Sequence, residues 1–484
     1  MNCYQVQHVH IDKVRLRLDI MEQLSLVETS FLLSESTASP KHFSGLQIFE
    51  PPKDYVGNFA RDLFQKLIMD PAVATPFNFK LKKSFGGLYY WVHDSQFDFN
   101  YHIRMSMLPG EGSDEQLRDL VERLHSHLID RTRPLWEVYL IEGLSEGRFA
   151  IFTKIHYAMA DGKMANSWLS GYLQSDQSVN DYRPFWQIPS FRPGYKESAG
   201  VIENLLSTYM SGLKQLKSVP GLVQLGARMG LKFLNLRDKG PALPFCAPRT
   251  PFSVPATRSR IVSFGRLPFE KMRSISKITG VTLNDVILCC VDIGLNRYLK
   301  EKGILLRKPL VAQVPVRIGN GRRNALTGVE LGNVDADPLE HLETIFKRTS
   351  SVKEDLFSLP AESVVNFSLL LQATASISEW LGISKFLPPL GSVIVSNVRG
   401  QQDFAYLAGA KLTEVYPVSV LSAGTALNIT LYSYHEDVFF GLVGCKNEMP
   451  DLDILSRHVE AACEILSNDI LDNAKQHSVL ISSR

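Results

Sequence analysis

His156, Tyr157, Asp161 and Gly162 fall together in the stretch TKIHYAMADG, residues 153–162. An imidazole, with a pKa of about 6.5, takes a proton from a hydroxyl at neutral pH. A phenol, with a pKa near 10, is on the order of 0.1% ionised at pH 7 and holds its proton. In a regular strand His156 and Tyr157 point to opposite faces, and near a strand end a bulge or turn re-aims either one. His156 therefore reads as a base or as a structural histidine. Tyr157 reads as a substrate-positioning hydroxyl, an activated phenol or a lining ring. Asp161 suits a helix N-cap, and Gly162 permits close backbone approach or positive φ.

The stretch lies where a strand gives way to a helix. LWEVYLIEG and RFAIFTKIHY read as strands joined by the polar turn LSEG, and DGKMANSWLSGYL resumes a helical pattern. Such a junction presents side chains and free N–H groups at a sheet edge. Upstream, QLSLVETSFLLSES reads as a short helix and HFSGLQIFEPP as a strand stopped by Pro51-Pro52. DYVGNFARDLFQKLI and SDEQLRDLVERLHSHLID read as helices, the second capped by Ser113. Residues 176–200 look like a linker, and 199–237 read as amphipathic helices broken at Pro220-Gly221.

From about residue 256 a new pattern of strands and helices begins. It includes SRIVSFGRL, PFEKMRSISKITG, TLNDVILCCVDIGLNRYLKEKG, PLVAQVPVRI, GSVIVSNV, AKLTEVYPVS, ALNITLYSYHEDVFFGLVG and a final helix from Asp451. No strict βαβ repeat appears, so the class is α/β (mixed α+β), with mixed sheets covered by helices. The expected divisions are a polar leader at 1–21, one domain at 22–190 and a helical linker at 191–255. A second domain at 256–475 and a tail at 476–484 follow.

A chain of 484 residues implies two domains, and 45% hydrophobic with 21% charged residues is ordinary globular composition. A formal net charge of +2 excludes a strongly basic nucleic-acid binder by bulk charge. The six cysteines make no C-x-x-C pair, which predicts a reduced, cytoplasmic protein. His125 and His127, two apart on a helix, do not share a metal, and no metal cluster or phosphate loop is expected. Pro134, Leu135 and Trp136 read as a core corner. Asn284 and Asp285 open an apolar helix as caps, and Ser396-Asn397 end a strand.

RPLWEVYLIEGL, KIHYAMADG, TLNDVIL, SNVRG, AGAKLTEVYPVS and ALNITLYSY, in this order, resemble the bacterial wax ester synthase / diacylglycerol acyltransferase family. The resemblance runs from about Leu24 to Leu466. It implies two chloramphenicol-acetyltransferase-like domains joined by a helical linker, with a tunnel between them. It implies acyl-CoA as donor substrate, no cofactor, and a long-chain alcohol or diacylglycerol as acceptor. Asp161 is then expected to order the site and bind an arginine. Asn284 would polarise the acyl carbonyl or align its helix beside the tunnel. The substrate-contacting set becomes Pro134, Trp136, Gly162, Asn284, Asp285, Ser396 and Asn397.

Two departures stand out. Tyr157 occupies the position where the family carries its second histidine, the general base. The stretch between Val314 and Pro338 looks short of part of a strand. The expected activity is acyl-CoA-dependent O-acyl transfer, weakened by Tyr157. The alternatives are a degenerate acyl-CoA- or lipid-binding relative and a same-fold condensing enzyme with another acceptor. Lys214, Lys217, Arg228, Lys232 and Arg237 outnumber Glu203 in the 199–237 helices. That pattern suits an anionic membrane surface or lipid droplet, or else packing between the domains, and the resemblance implies peripheral attachment to the inner face of the membrane. No nucleic acid and no protein partner is expected.

Overall fold

The computed structural model describes residues 22–179, 182–190, 220–319, 323–332, 337–384 and 386–482. The expected leader and residues 191–219 of the expected linker, with Lys214 and Lys217, lie outside these residues.

The first half runs β1 (Glu22–Gln23), α1 (Leu26–Ser34), β2 (His42–Glu50), α2 (Phe59–Met69), β3 (Phe79–Lys83) and β4 (Tyr89–His93). Then come α3 (Phe99–His102), β5 (Ile103–Met107), α4 (Asp114–Ser126), β6 (Trp136–Glu142), β7 (Phe149–His156) and α5 (Gly162–Gly171). The linker contributes α6, described over residues 220–233. The second half runs β8 (Arg260–Pro268), α7 (Phe269–Thr279), α8 (Leu283–Glu301), β9 (Val311–Ile318), β10 (Arg323–Glu330), α9 (Pro338–Phe357) and α10 (Ala361–Trp380). It ends with β11 (Val393–Arg399), β12 (Tyr406–Leu407), β13 (Ala410–Val418), β14 (Leu427–Tyr434), β15 (Asp437–Cys445) and α11 (Leu452–Ser482).

Two six-stranded sheets carry the architecture, ordered β12-β13-β2-β7-β6-β5 and β10-β9-β11-β14-β15-β8. β6 and β7 are buried along their whole length, as a sheet covered on both faces requires. Their register sets Glu137 opposite Lys154. The Lys154 ammonium, 1% exposed, sits 3.3 Å from the Glu137 carboxylate and donates to the His127 carbonyl at 2.9 Å. A buried charge requires such pairing.

The expected division at about residue 256 is not kept by the sheets. β13, from the second half, pairs antiparallel with β2, so residues 406–418 complete the first sheet. Where β13 crosses β15, a Cβ on Gly441 would stand 1.9 Å from the Pro417 carbonyl oxygen. Only glycine permits that approach. α4 meets β8 across the same junction: Glu122 accepts from the Val262 N–H at 3.1 Å and from the Lys446 ammonium at 3.0 Å.

β10 pairs with β9 over eight residues, while residues 333–336, where the family strand looked short, lie outside the described residues. Two further expectations change. The expected tail from 476 is helical through Ser482, as part of α11. The three described cations among those expected to face a membrane are engaged within the protein. Arg228 donates to Asp355 at 2.8 Å, Arg237 pairs with the same carboxylate, and Lys232 donates to the Gly240 and Pro241 carbonyls.

Candidate active site

β7 ends at His156, and a tight turn leads into α5. The His156 imidazole is fully buried. Its Nδ1 accepts the Ala158 N–H at 2.9 Å, so the proton resides on Nε2, which lies 3.2 Å from Glu35 Oε1. Glu35 follows α1 and also accepts from the Lys41 N–H and from Arg131. Burial pushes the Glu35 carboxyl up, but His156, the Lys41 N–H and Arg131 outweigh it and hold the pKa at about 2. Both imidazole nitrogens are thus occupied, and no face of the ring is open to a substrate.

Tyr157 points elsewhere. Its ring stacks on Phe31 of α1 (centroids 5.1 Å apart) and meets the edge of Phe43 (4.9 Å). Its N–H donates to the Lys41 carbonyl at 2.9 Å. Burial first, and the Asp161 carboxylate second, push its phenol up to about 12.

Asp161 is exposed and caps α5, its Oδ1 accepting the Met164 N–H at 2.8 Å. Among the described residues no arginine pairs with it, contrary to the expectation from the family resemblance. Gly162 opens α5 without positive φ, and a Cβ there would meet nothing within 4 Å. The expected close approach is absent, and the space beside Gly162 is open.

α5 then runs along the second half of the chain. The Asn166 amide donates to the Arg399 carbonyl at 3.4 Å, and the Gln401 amide donates to the Ser170 carbonyl at 3.2 Å. Asn166 lies about one helical turn beyond Gly162. The end of β11 therefore sits beside the middle and last turn of the motif helix.

A cavity of about 870 Å3 opens at that end of β11. β11 pairs with β9 at only two positions, Val393↔Ala312 and Ile394↔Gln313. Beyond them the strands part, and Val314–Arg317 face Val395, Asn397 and Arg399 across the gap. Strand alternation sends 395, 397 and 399 into the cavity and leaves Ser396 out of its lining, which removes Ser396 from the expected contacts. Asn397 Nδ2 donates to Asn284 Oδ1 at 2.7 Å, joining β11 to the first turn of α8. The Asn284 amide N–H groups have no protein partner among the described residues.

Asp285 also borders the cavity, but its carboxylate is committed. It accepts from the Thr282 N–H at 3.0 Å and hydroxyl at 2.5 Å, and from the Thr349 hydroxyl of α9 at 2.6 Å. Pro134 and Trp136 are core residues rather than substrate contacts. Trp136 is fully buried, donates to the Phe77 carbonyl at 2.8 Å and stacks on His102 and Trp186.

Comparison with known proteins adds ancestry to this geometry. Residues 24–287 match the wax ester synthase/diacylglycerol acyltransferase catalytic domain, and residues 321–467 match the WS/DGAT C-terminal domain. The chain belongs to the wax ester synthase/diacylglycerol acyltransferase family.

It is 32% identical over 455 residues to a Mycobacterium tuberculosis protein named as a diacylglycerol O-acyltransferase, covering 92% of this chain and all of that one. It is 30% identical over 470 residues to the O-acyltransferase WSD of Acinetobacter baylyi, covering 95% and 99%. The solved wax ester synthase/diacylglycerol acyltransferase of Marinobacter aquaeolei superposes with a TM-score of 0.75 at 28% identity, over 93% of this chain and all of that one. The first condensation domain of the CDA synthetase shares the fold, with a TM-score of 0.55 at 15% identity.

Glu35 and Asn166, which frame this family's motif here, carried no local signal in the sequence. Their partners lie 121 and 233 residues away.

Proposed function

We propose that this protein is an acyl-CoA-dependent O-acyltransferase acting on a long-chain alcohol or diacylglycerol, and that Tyr157 makes it slow. The observation that carries this is the Asn284–Asn397 pair in a large cavity at the end of β11, whose Arg399 carbonyl receives Asn166 of the motif helix. The acceptor oxygen attacks the thioester carbonyl, the C–S bond breaks, and the hydroxyl proton ends on the CoA thiol. Asn284 is placed to donate an N–H to the carbonyl oxygen as negative charge develops there. His156 acts as a positioning residue, holding the turn through Ala158 and Glu35. Tyr157, its ring packed between Phe31 and Phe43 and its phenol near 12, holds its proton. Proximity supplies a large share of the acceleration that remains.

The raised phenol also favours a second reading, a protein that binds acyl-CoA without turnover. Purified protein with labelled palmitoyl-CoA and a panel of alcohols and diacylglycerols separates them. Ester product supports transfer, and binding without thioester loss in every case overturns it.

Peripheral attachment to the inner face of a membrane belongs to the same proposal. Among the described residues no single helix is long and apolar enough to cross a membrane. Exposed Leu369, Leu370 and Ile377 on α10, with Leu381 and Phe386 beyond it, support an apolar contact instead. Vesicle co-sedimentation that resists high salt is the expected result, and release by salt counts against it.

A further inference from the structure

Three cations stand around the cavity with no ion-pair partner among the described residues: Arg317 at the end of β9, Lys353 on α9 and Arg399 at the end of β11. Other lining charges are already engaged. Arg273 pairs with Glu270 at 3.2 Å, and Asp285 is held by Thr282 and Thr349. Glu436 is the remaining carboxylate of the lining, in the turn between β14 and β15.

Between the cations the walls are apolar, with Ile287, Leu288, Val314, Val316, Val352 and Val395. A cavity with an oily interior and free positive charge beside it fits a ligand with an apolar chain at one end and phosphates at the other. Arg317 and Arg399 also lie at the carboxyl ends of two parallel strands that have parted, a recurrent ligand position in sheets of this kind.

We propose that Arg317, Lys353 and Arg399 form the phosphate-binding subsite for the CoA portion of the donor, with the thioester held near the Asn284–Asn397 pair. This rests on the acyltransferase reading. It adds that donor affinity is electrostatic and is supplied by the second half of the chain. Among the described residues none of the three side chains makes an ion pair, so removing them leaves the fold's described contacts in place. The Arg399 carbonyl that receives Asn166 is backbone and survives substitution.

The test measures Kd by calorimetry for octanoyl-CoA and for octanoyl-pantetheine, which lacks the phosphates. It compares natural protein, each alanine variant and the triple variant Arg317→Ala, Lys353→Ala, Arg399→Ala. A charge-assisted hydrogen bond lost should weaken octanoyl-CoA about tenfold per cation. Octanoyl-pantetheine should bind all variants alike, which also reports an intact cavity. The salt dependence of octanoyl-CoA binding should flatten in the triple variant. Equal octanoyl-CoA affinity in natural and triple-variant protein overturns the subsite and leaves the acyltransferase reading standing. No octanoyl-CoA binding by the natural protein overturns both.

Discussion

Replacing Tyr157 by histidine changes one proton equilibrium and little of the frame around it. With its pKa near 12, the phenol is ionised in about one molecule in 10⁵ at pH 7. An imidazole near its ordinary pKa of about 6.5 is roughly three-quarters unprotonated at that pH. The local anchors do not use the phenol: His156 holds Ala158 and Glu35, Asp161 caps α5, and only the Tyr157 backbone N–H reaches Lys41. A positioned base contributes about 10²–10⁴-fold, and a ring in a slot shaped for phenol realises part of it, so turnover should rise about 10–10³-fold. The loss of the Phe31 and Phe43 ring contacts costs about 0.5–1.5 kcal/mol each, visible as a lower Tm.

The assay follows CoA thiol release with palmitoyl-CoA and a long-chain alcohol across pH 5.5–9. In Tyr157→His, kcat should climb through about pH 6.5 and level off, and the natural protein should lack that step. Natural protein turning over as fast as Tyr157→His would refute the assignment of position 157 as the missing base. So would a faster variant without the inflection. Tyr157→Phe should stay within about threefold of natural turnover, because a packed ring needs no hydroxyl.

Asn284→Ala should lower kcat by about 10²–10³-fold with KM little changed, as for loss of a donor to a developing oxyanion; unchanged kcat would remove it from that role. Glu35 is ionised in the fold down to about pH 2, so between pH 4.5 and 2 the unfolded chain binds more protons and stability falls as pH falls. Glu35→Gln should abolish that slope in acid denaturation, and an unaltered slope would contradict the Glu35–His156 anchor. Asp161→Ala should cost about 1 kcal/mol of stability through the lost cap, with kcat per folded molecule preserved; native Tm with lost activity would place Asp161 in the reaction. Arg228→Ala should lower Tm, because Asp355 loses one of its two arginines, while vesicle binding persists; the reverse pattern would restore an electrostatic membrane contact.

The strands of both sheets were legible wherever side-chain pattern and burial coincide. β7 and β8 are each largely buried, mostly apolar runs. Their partners were not, because register with a distant strand leaves no local mark. β13 reads as a strand of the second half and pairs with β2 of the first. α9 and α10 were not anticipated, and α10 has apolar residues around its circumference rather than along one stripe. The cations of α6 looked like a membrane-facing row because Asp355 lies 118 and 127 residues beyond the two arginines it holds. Trp136 looked like a substrate contact because the motif holding it resembles a family signature, whereas its indole N–H and both ring faces are spent in the core.

Positions 156 and 157 answer to different constraints although they are adjacent. α1 and the residue after it reach both: Glu35 grips the His156 imidazole, and Phe31 stacks on the Tyr157 ring. Removing His156 would take one hydrogen-bond donor from the buried Glu35 carboxylate, which keeps Arg131 and the Lys41 N–H, a class of change that costs about 1.5–3 kcal/mol. Changing residue 157 trades one ring contact for another and leaves the turn, the α5 cap and the Asn284–Asn397 pair where they are. On the proposed mechanism, the fold tolerates substitution where the chemistry does not, and resists it where the chemistry is indifferent. A chain can therefore carry tyrosine at 157, keep the whole architecture of an acyltransferase, and lose the one group that takes the proton.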